Sequence, residues 1–350
     1  LGGELGLICG IVGLPNVGKS TLFNALTQAK AAIANYPFTT IDPNVGVVEV
    51  PDERLQTLAR IIKPQKLTPT TIKFLDIAGL VRNAHKGEGL GNQFLSHIRD
   101  VDLIVEVVRS FEDSNVVHVN GSVDPLRDIE ILNLELAFAD LDYLARQISR
   151  KKKDPSADKK ELEVLEKIKA GIESGRPLLR KDLNAEELRL MAAHPILTLK
   201  PILYLLNADE EKIPDQLAGY SPILAINAKL ELEISFLSPE ERKEFTGAEG
   251  CGLDRLIKKC YELLGLITFF TVKGDETRAW TILKGTRAPQ AAGKVHTDME
   301  RGFICAEVIA FEELAGLGSM QKAREKGLLR TEGRDYVIQD GDVVQFKFNV

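Results

Sequence analysis

The sequence predicts an α/β protein with a helical insertion and a smaller C-terminal domain of mixed α and β structure. Three observations predict it. The apolar run 7–12 empties into a loop bounded by Gly13 and Gly18, and a helix-like segment follows at 20–26. From Ile131 to Ile148 apolar residues recur in steps of three and four, and from about Leu266 short β-like pieces take over.

The first observation carries the most chemistry. Gly13-Leu14-Pro15-Asn16-Val17-Gly18-Lys19-Ser20 meets the P-loop pattern at each fixed position, in the strand, loop and helix order that the pattern requires. Backbone N–H groups of such a loop surround a polyphosphate, Lys19 reaches the β and γ phosphates, and the Ser20 hydroxyl ligates Mg²⁺. Asn16, Val17, Gly18, Lys19, Ser20 and Thr21 are the expected phosphate-binding residues, with Lys19 also acting in catalysis.

The 350 residues suit two or three domains, and 44% hydrophobic with 27% charged residues is an ordinary well-cored composition. Net charge is −6 and the pI is near 5.6, so nucleic-acid contact requires a local basic patch. Cys9, Cys251, Cys260 and Cys305 are scattered without a Cys-x-x-Cys pair, which points to reduced thiols and away from a zinc site. With no apolar run of membrane-spanning length and no signal-peptide pattern, a soluble, cytoplasmic protein without membrane contact is expected. A monomer is expected as well, although nothing in the sequence speaks to oligomeric state.

Between the P-loop helix and the next strand, 34–44 holds two prolines and the pair Thr39-Thr40, and reads as a loop. A threonine there can complete Mg²⁺ coordination while a γ-phosphate holds the loop closed. Thr40 is favoured over Thr39, the alternative for either being a hydroxyl that caps a turn. The strand at 71–75 runs into Asp76-Ile77-Ala78-Gly79, which suits an Asp76 carboxylate binding Mg²⁺ through water and a Gly79 N–H facing the γ-phosphate. Leu80 follows, where Ras-like enzymes carry the glutamine that orients water. After the apolar strand 103–108, His118 allows two readings: a buried structural histidine, or the polar contact to water that Leu80 cannot make.

Ile131, Leu134, Phe138, Leu141, Ala145 and Ile148 read as a heptad seam, and Leu162, Leu165, Ile168 and Ile172 as the face of a second helix. The basic connector 150–155 is a solvated loop or a contact to RNA phosphates. Strand 201–206 delivers Asn207-Ala208-Asp209-Glu210 to the position where guanine-specific proteins carry Asn-Lys-x-Asp. With Ala208 for the lysine and Glu210 for the aspartate, guanine selectivity is weakened and adenine becomes a plausible or preferred base. Asn227-Ala228-Lys229 stands like a Ser-Ala-Lys loop touching the base through backbone groups. In the C-terminal part Lys284, Arg287, Lys294, Arg301, Lys322, Arg324 and Lys326 offer an RNA-facing surface, or a solvated one.

Taken together, 13–20, Asn-Tyr-Pro-Phe-Thr-Thr-Ile-Asp-Pro-Asn (35–44), Asp-Ile-Ala-Gly-Leu-Val (76–81), 86–94, 207–210, 278–282, 288–294 and the last eleven residues resemble the YchF family of the Obg-related P-loop NTPases. The resemblance spans essentially the whole chain. It implies a Ras-like nucleotide domain (1–126 and 198–265), an inserted α-helical coiled-coil domain (127–197) and a C-terminal α+β TGS domain (266–350). It implies hydrolysis of ATP in preference to GTP, with Mg²⁺, association with the ribosome and ribosomal RNA, and a role in translation or stress response. Leu80 matches the family's hydrophobic replacement of the catalytic glutamine, Asn207 and Glu210 match the ends of its base motif, and the family's Val-His-Val histidine favours His118 as catalytic. Asn16 resembles the asparagine that coordinates K⁺ in potassium-stimulated relatives, the alternative being that it braces the loop. Thr39 stands where cysteine is common and Asp42 where glutamate is common. A GTPase for ribosome assembly and a nucleotide-gated adaptor with negligible hydrolysis are the competing readings.

Overall fold

The computed structural model describes residues 7–28, 44–77, 90–247 and 250–349. Strands among them are β1 (Ile8–Val12), β2 (Val45–Glu49), β3 (Lys66–Thr68), β4 (Thr71–Asp76), β5 (Leu103–Ser110), β6 (Ile202–Ala208), β7 (Ile223–Ile226), β8 (Leu266–Lys273), β9 (Glu276–Leu283), β10 (Phe303–Ala310), β11 (Arg330–Glu332) and β12 (Asp342–Phe348). The helices run α1 (Lys19–Gln28), α2 (Glu53–Ile62), α3 (Leu90–Arg99), α4 (Pro125–Lys152), α5 (Lys159–Glu173), α6 (Ala185–Met191), α7 (Ala228–Ser235), α8 (Pro239–Thr246), α9 (Gly252–Leu263), α10 (Ala288–Val295), α11 (Thr297–Arg301), α12 (Phe311–Leu317) and α13 (Met320–Glu325). Chain contacts divide the protein into two compact units, one of Ile8–Gly46 and Phe74–Leu253, the other of Leu1–Leu7, Val47–Lys73 and Asp254–Val350.

One sheet has the order β2-β4-β1-β5-β6-β7, and its strands β1, β5, β6 and β7 lie wholly in the first unit. Strands β1, β5, β6 and β7 are parallel neighbours, with Val12 opposite Glu106 and Arg109 opposite Asn207. A parallel sheet covered on both faces demands strands that are apolar on both faces. Accordingly Leu103, Ile104, Val105, Val107 and Val108 are all buried. Two polar side chains interrupt that strand, Glu106 and Arg109, and both are buried.

Helix α4 corrects the heptad reading. Its buried apolar positions after the first turn are Ile129, Leu132, Leu136, Ala139, Leu144 and Ile148, while Leu134 and Phe138 are exposed. The 28-residue helix changes partners along its length. Ile129 packs into the core of the sheet, and Leu144 and Ile148 pack with Leu165, Ile168 and Ile172 of α5. No single seam serves both. The basic run is only partly a loop: Arg150, Lys151 and Lys152 form the last turn of α4, where cations complement the helix dipole, and Lys153, Asp154 and Pro155 lie in the turn that follows. Lys151 and Lys152 are paired with Glu161 and Glu166 at 2.6 and 2.8 Å.

The second unit is built on a mixed sheet of order β11-β10-β12-β8-β9-β3. β8 and β9 form a hairpin with Lys273 opposite Glu276, and Gly274 takes the positive φ of 57° that the turn needs. Residues from far upstream join this unit. β3 pairs in parallel with the start of β9, and Leu55 and Leu58 of α2 pack with Phe270, Ala279 and Val343. Arg54 locks the helix in place through Asp52 and Asp340, each at 2.8 Å.

Candidate phosphate-binding site

The site lies where the parallel strands of the first unit end, the usual position for a ligand at a switch point of strand order. β1 sits between β4 and β5, and the segment leaving β1 is the glycine loop. Gly13 has φ 150° and Gly18 φ 100°. A Cβ on Gly13 would collide with the Val107 carbonyl oxygen, and one on Gly18 with the Asn207 amide nitrogen. Asn16 holds a left-handed φ of 63°, which asparagine tolerates better than most residues. Helix α1 starts at Lys19, so its first-turn N–H groups open toward the loop, the arrangement that receives an anion.

Lys19 is buried. Its Nζ donates to the carbonyls of Gly13 at 3.2 Å and Leu14 at 2.8 Å. Burial pushes the ammonium down to about 8, opposed by the negative charge of Asp76. Ser20 Oγ donates to Asp76 Oδ2 at 3.2 Å. Burial raises the Asp76 carboxyl above its ordinary range, against the Ser20 hydrogen bond and the Lys19 charge. A hydroxyl and a carboxylate in contact are hard oxygen donors suited to Mg²⁺. Among the described residues no cluster of three or more His, Cys, Asp or Glu side chains could hold a metal unaided. Ser20 and Asp76 therefore fit a cation that arrives with its own phosphate oxygens.

Asn207 ties the cradle to the far side of the site. Its Nδ2 donates to the Val17 carbonyl and its Oδ1 accepts from the Ala228 N–H, both at 3.0 Å. Asn227 caps α7 by accepting from the Leu230 N–H. Ala208 is buried at the end of β6, while Asp209 and Glu210 are exposed beyond it. Thr21 lies in the first turn of α1. Thr39, Thr40, Asp42, Gly79 and Leu80 lie outside the described residues.

His118 is buried with both ring nitrogens engaged. Nδ1 accepts from the Asn120 N–H at 3.1 Å, which leaves the proton on Nε2 to be donated to Asp128 Oδ2 at 2.8 Å. The carboxylate also accepts from Arg127 and Asn120. Of the two sequence readings, this conformation has the geometry of the hydrogen-bonded structural histidine. Asn16 Nδ2 donates to the Val117 carbonyl at 3.1 Å, so the bracing expected as its alternative role is made.

Arg109 escaped the sequence reading. It reaches the carbonyls of Phe111, Asp113 and Val116 at 3.1, 3.2 and 2.9 Å and so shapes the loop that carries His118. The available signal was a charged residue near the end of a central strand that is apolar apart from Glu106 and Ser110.

Comparison with known proteins is consistent over both units. A family model described as a 50S ribosome-binding GTPase matches residues 8–138. A YchF C-terminal model, described as a protein of unknown function, matches residues 266–349. The ribosome-binding ATPase YchF of Bacillus subtilis is 50% identical, over 99% of this chain and 100% of its own length. That of Escherichia coli O157:H7 is also 50% identical with the same coverage. The solved structure of the Schizosaccharomyces pombe YchF GTPase is 36% identical, with a TM-score of 0.87 over 99% of this chain and 98% of its own.

Proposed function

The chain belongs to the YchF family, and on that premise we propose that it is an ATP-hydrolysing switch that binds the ribosome and acts in translation. The observation that carries the reading is Lys19, a buried ammonium held by carbonyls of its own loop and depressed in pKa. Its chemistry asks for an anion, and triphosphate in the cradle of loop amides supplies one. Ser20 and Asp76 would hold Mg²⁺ together with the phosphates, with Thr40 as a further ligand. When bound, the ion neutralises charge on the β- and γ-phosphate oxygens. Gly79 senses the γ-phosphate, and the loops of Thr40 and Gly79 relax after hydrolysis.

The base assignment rests on Ala208 and Glu210 standing where guanine readers have lysine and aspartate. Asn207 acts in base recognition by fixing the P-loop against the Asn227-Ala228 segment. GTP is the second reading, because the descriptions of one matched family model and one matched structure name a GTPase. For His118 to orient water, the imidazole must release Asn120 or Asp128, so hydrolysis waits on movement of the 111–120 loop. Asn16 Oδ1 makes no hydrogen bond among the described residues and is the atom through which K⁺ would be held.

Competition of ATP and GTP for the protein, followed by single-turnover hydrolysis with and without ribosomes, tests the proposal. ATP is expected to bind more tightly and ribosomes to raise the rate. Tighter GTP binding overturns the base assignment, and hydrolysis indistinguishable from background in every condition favours the adaptor.

A further inference from the structure

The second unit contains a cavity of about 440 Å³ that the nucleotide chemistry leaves unused. It sits between the end of α2, α13 and the sheet. Backbone pairing of β8 with β12 extends only over Phe270 with Val343 and Thr271 with Val344, and the cavity opens just beyond, at Val272 and Lys273. Its apolar wall includes Ile61, Val272 and Met320, all half-buried. Half-exposed apolar side chains are ordinary when scattered. Gathered in a concavity of this size whose lining is as polar as it is apolar, they set an apolar surface beside hydrogen-bonding and charged groups, which suits an amphiphilic ligand.

Charge selects the ligand class. The rim carries Lys273 and Arg324, both exposed and neither in an ion pair among the described residues. Glu307, the carboxylate in the lining, is neutralised by Lys347 at 3.3 Å. Two uncompensated cations thus stand over an apolar wall. We propose that this cavity binds a small amphiphilic anion, an apolar or aromatic body bearing a carboxylate, sulfonate or phosphate. The cations meet the acidic group at the rim, and the body covers Ile61, Val272 and Met320.

8-Anilinonaphthalene-1-sulfonate has this chemistry and reports apolar contact by fluorescence. Titrated into the full chain with saturating ATP present, it is expected to fill one saturable site whose affinity is the same without ATP. Reversing both rim charges, Lys273→Glu with Arg324→Glu, is expected to weaken binding roughly tenfold or more, and neutralising both to glutamine by less. Both positions are exposed, so folding is not at stake. Absence of a saturable site, displacement by ATP, or double variants within about twofold of wild type would overturn the proposal.

Discussion

Lys19 and His118 are both buried polar side chains in the first unit, and Asn16 links their two loops through the Val117 carbonyl. Their partners differ. Lys19 has two carbonyl acceptors and a depressed pKa, whereas His118 has a carboxylate on one nitrogen and a backbone donor on the other. A buried charge short of partners is costly unless a ligand completes it, while a saturated pair holds its own loop. The phosphate loop is thus organised for something that arrives, and the 111–120 loop for itself. Glu106 shows that burial short of partners is not enough. Its Oε2 has none, yet burial and the Asp128 charge push the carboxyl well above its ordinary range, which favours the neutral form that asks for no counter-ion.

Substitution should separate the two regions. The largest effect is expected from Lys19→Met, which should weaken ATP binding about a hundredfold or more, as loss of charge-assisted bonds to phosphate does. Folding stability without nucleotide should stay level or rise by up to about 1 kcal/mol, because an incompletely partnered buried cation is removed. Titration with a fluorescent ATP analogue and urea unfolding read the two quantities, and a large loss of stability would make Lys19 structural and erase the contrast. His118→Ala should do the reverse, costing about 2 kcal/mol in urea unfolding as the Asn120 N–H loses its ring acceptor and Asp128 one of its three partners, with ATP affinity within about threefold of wild type. If the variant unfolds like wild type, the imidazole bonds hold nothing.

Glu106→Gln should give a smaller, pH-dependent gain. The folded-state pKa of Glu106 is raised, so the unfolded chain loses this proton first as pH climbs past 4.5. Wild-type stability therefore falls with rising pH up to the folded value, by at most about 1.4 kcal/mol per pH unit from this group. Relative to wild type, the variant should gain stability from pH 5 to pH 7 and lose that gain near pH 4. Urea midpoints at those pH values decide it, and a constant difference would show Glu106 to be ionised in the fold.

What could be read in advance divides along a physical line. The P-loop, Asp76 and Asn207 are set by local chain geometry, a strand feeding a turn, so residue type and spacing are enough to single them out as candidates. The phase of α4 was not local: it follows from a helix that packs on the sheet through Ile129 and on α5 through Leu144 and Ile148. Leu134 and Phe138 fit a heptad and are nevertheless exposed. Membership of α2 and β3 in the second unit depends on pairings such as Lys66 with Glu276 and Arg54 with Asp340, separated by most of the chain. No pattern within 51–70 announces them.

The central claim is that Lys19 is a cation awaiting an anion, and proton uptake tests it most directly. Near pH 8.5 an ammonium with a pKa of about 8 is mostly neutral in the free protein, and triphosphate binding should charge it. Calorimetric titration with Mg·ATP in two buffers of different ionisation enthalpy should then reveal net proton uptake at pH 8.5, shrinking toward zero at pH 7. Binding at pH 8.5 with no proton taken up would contradict the account.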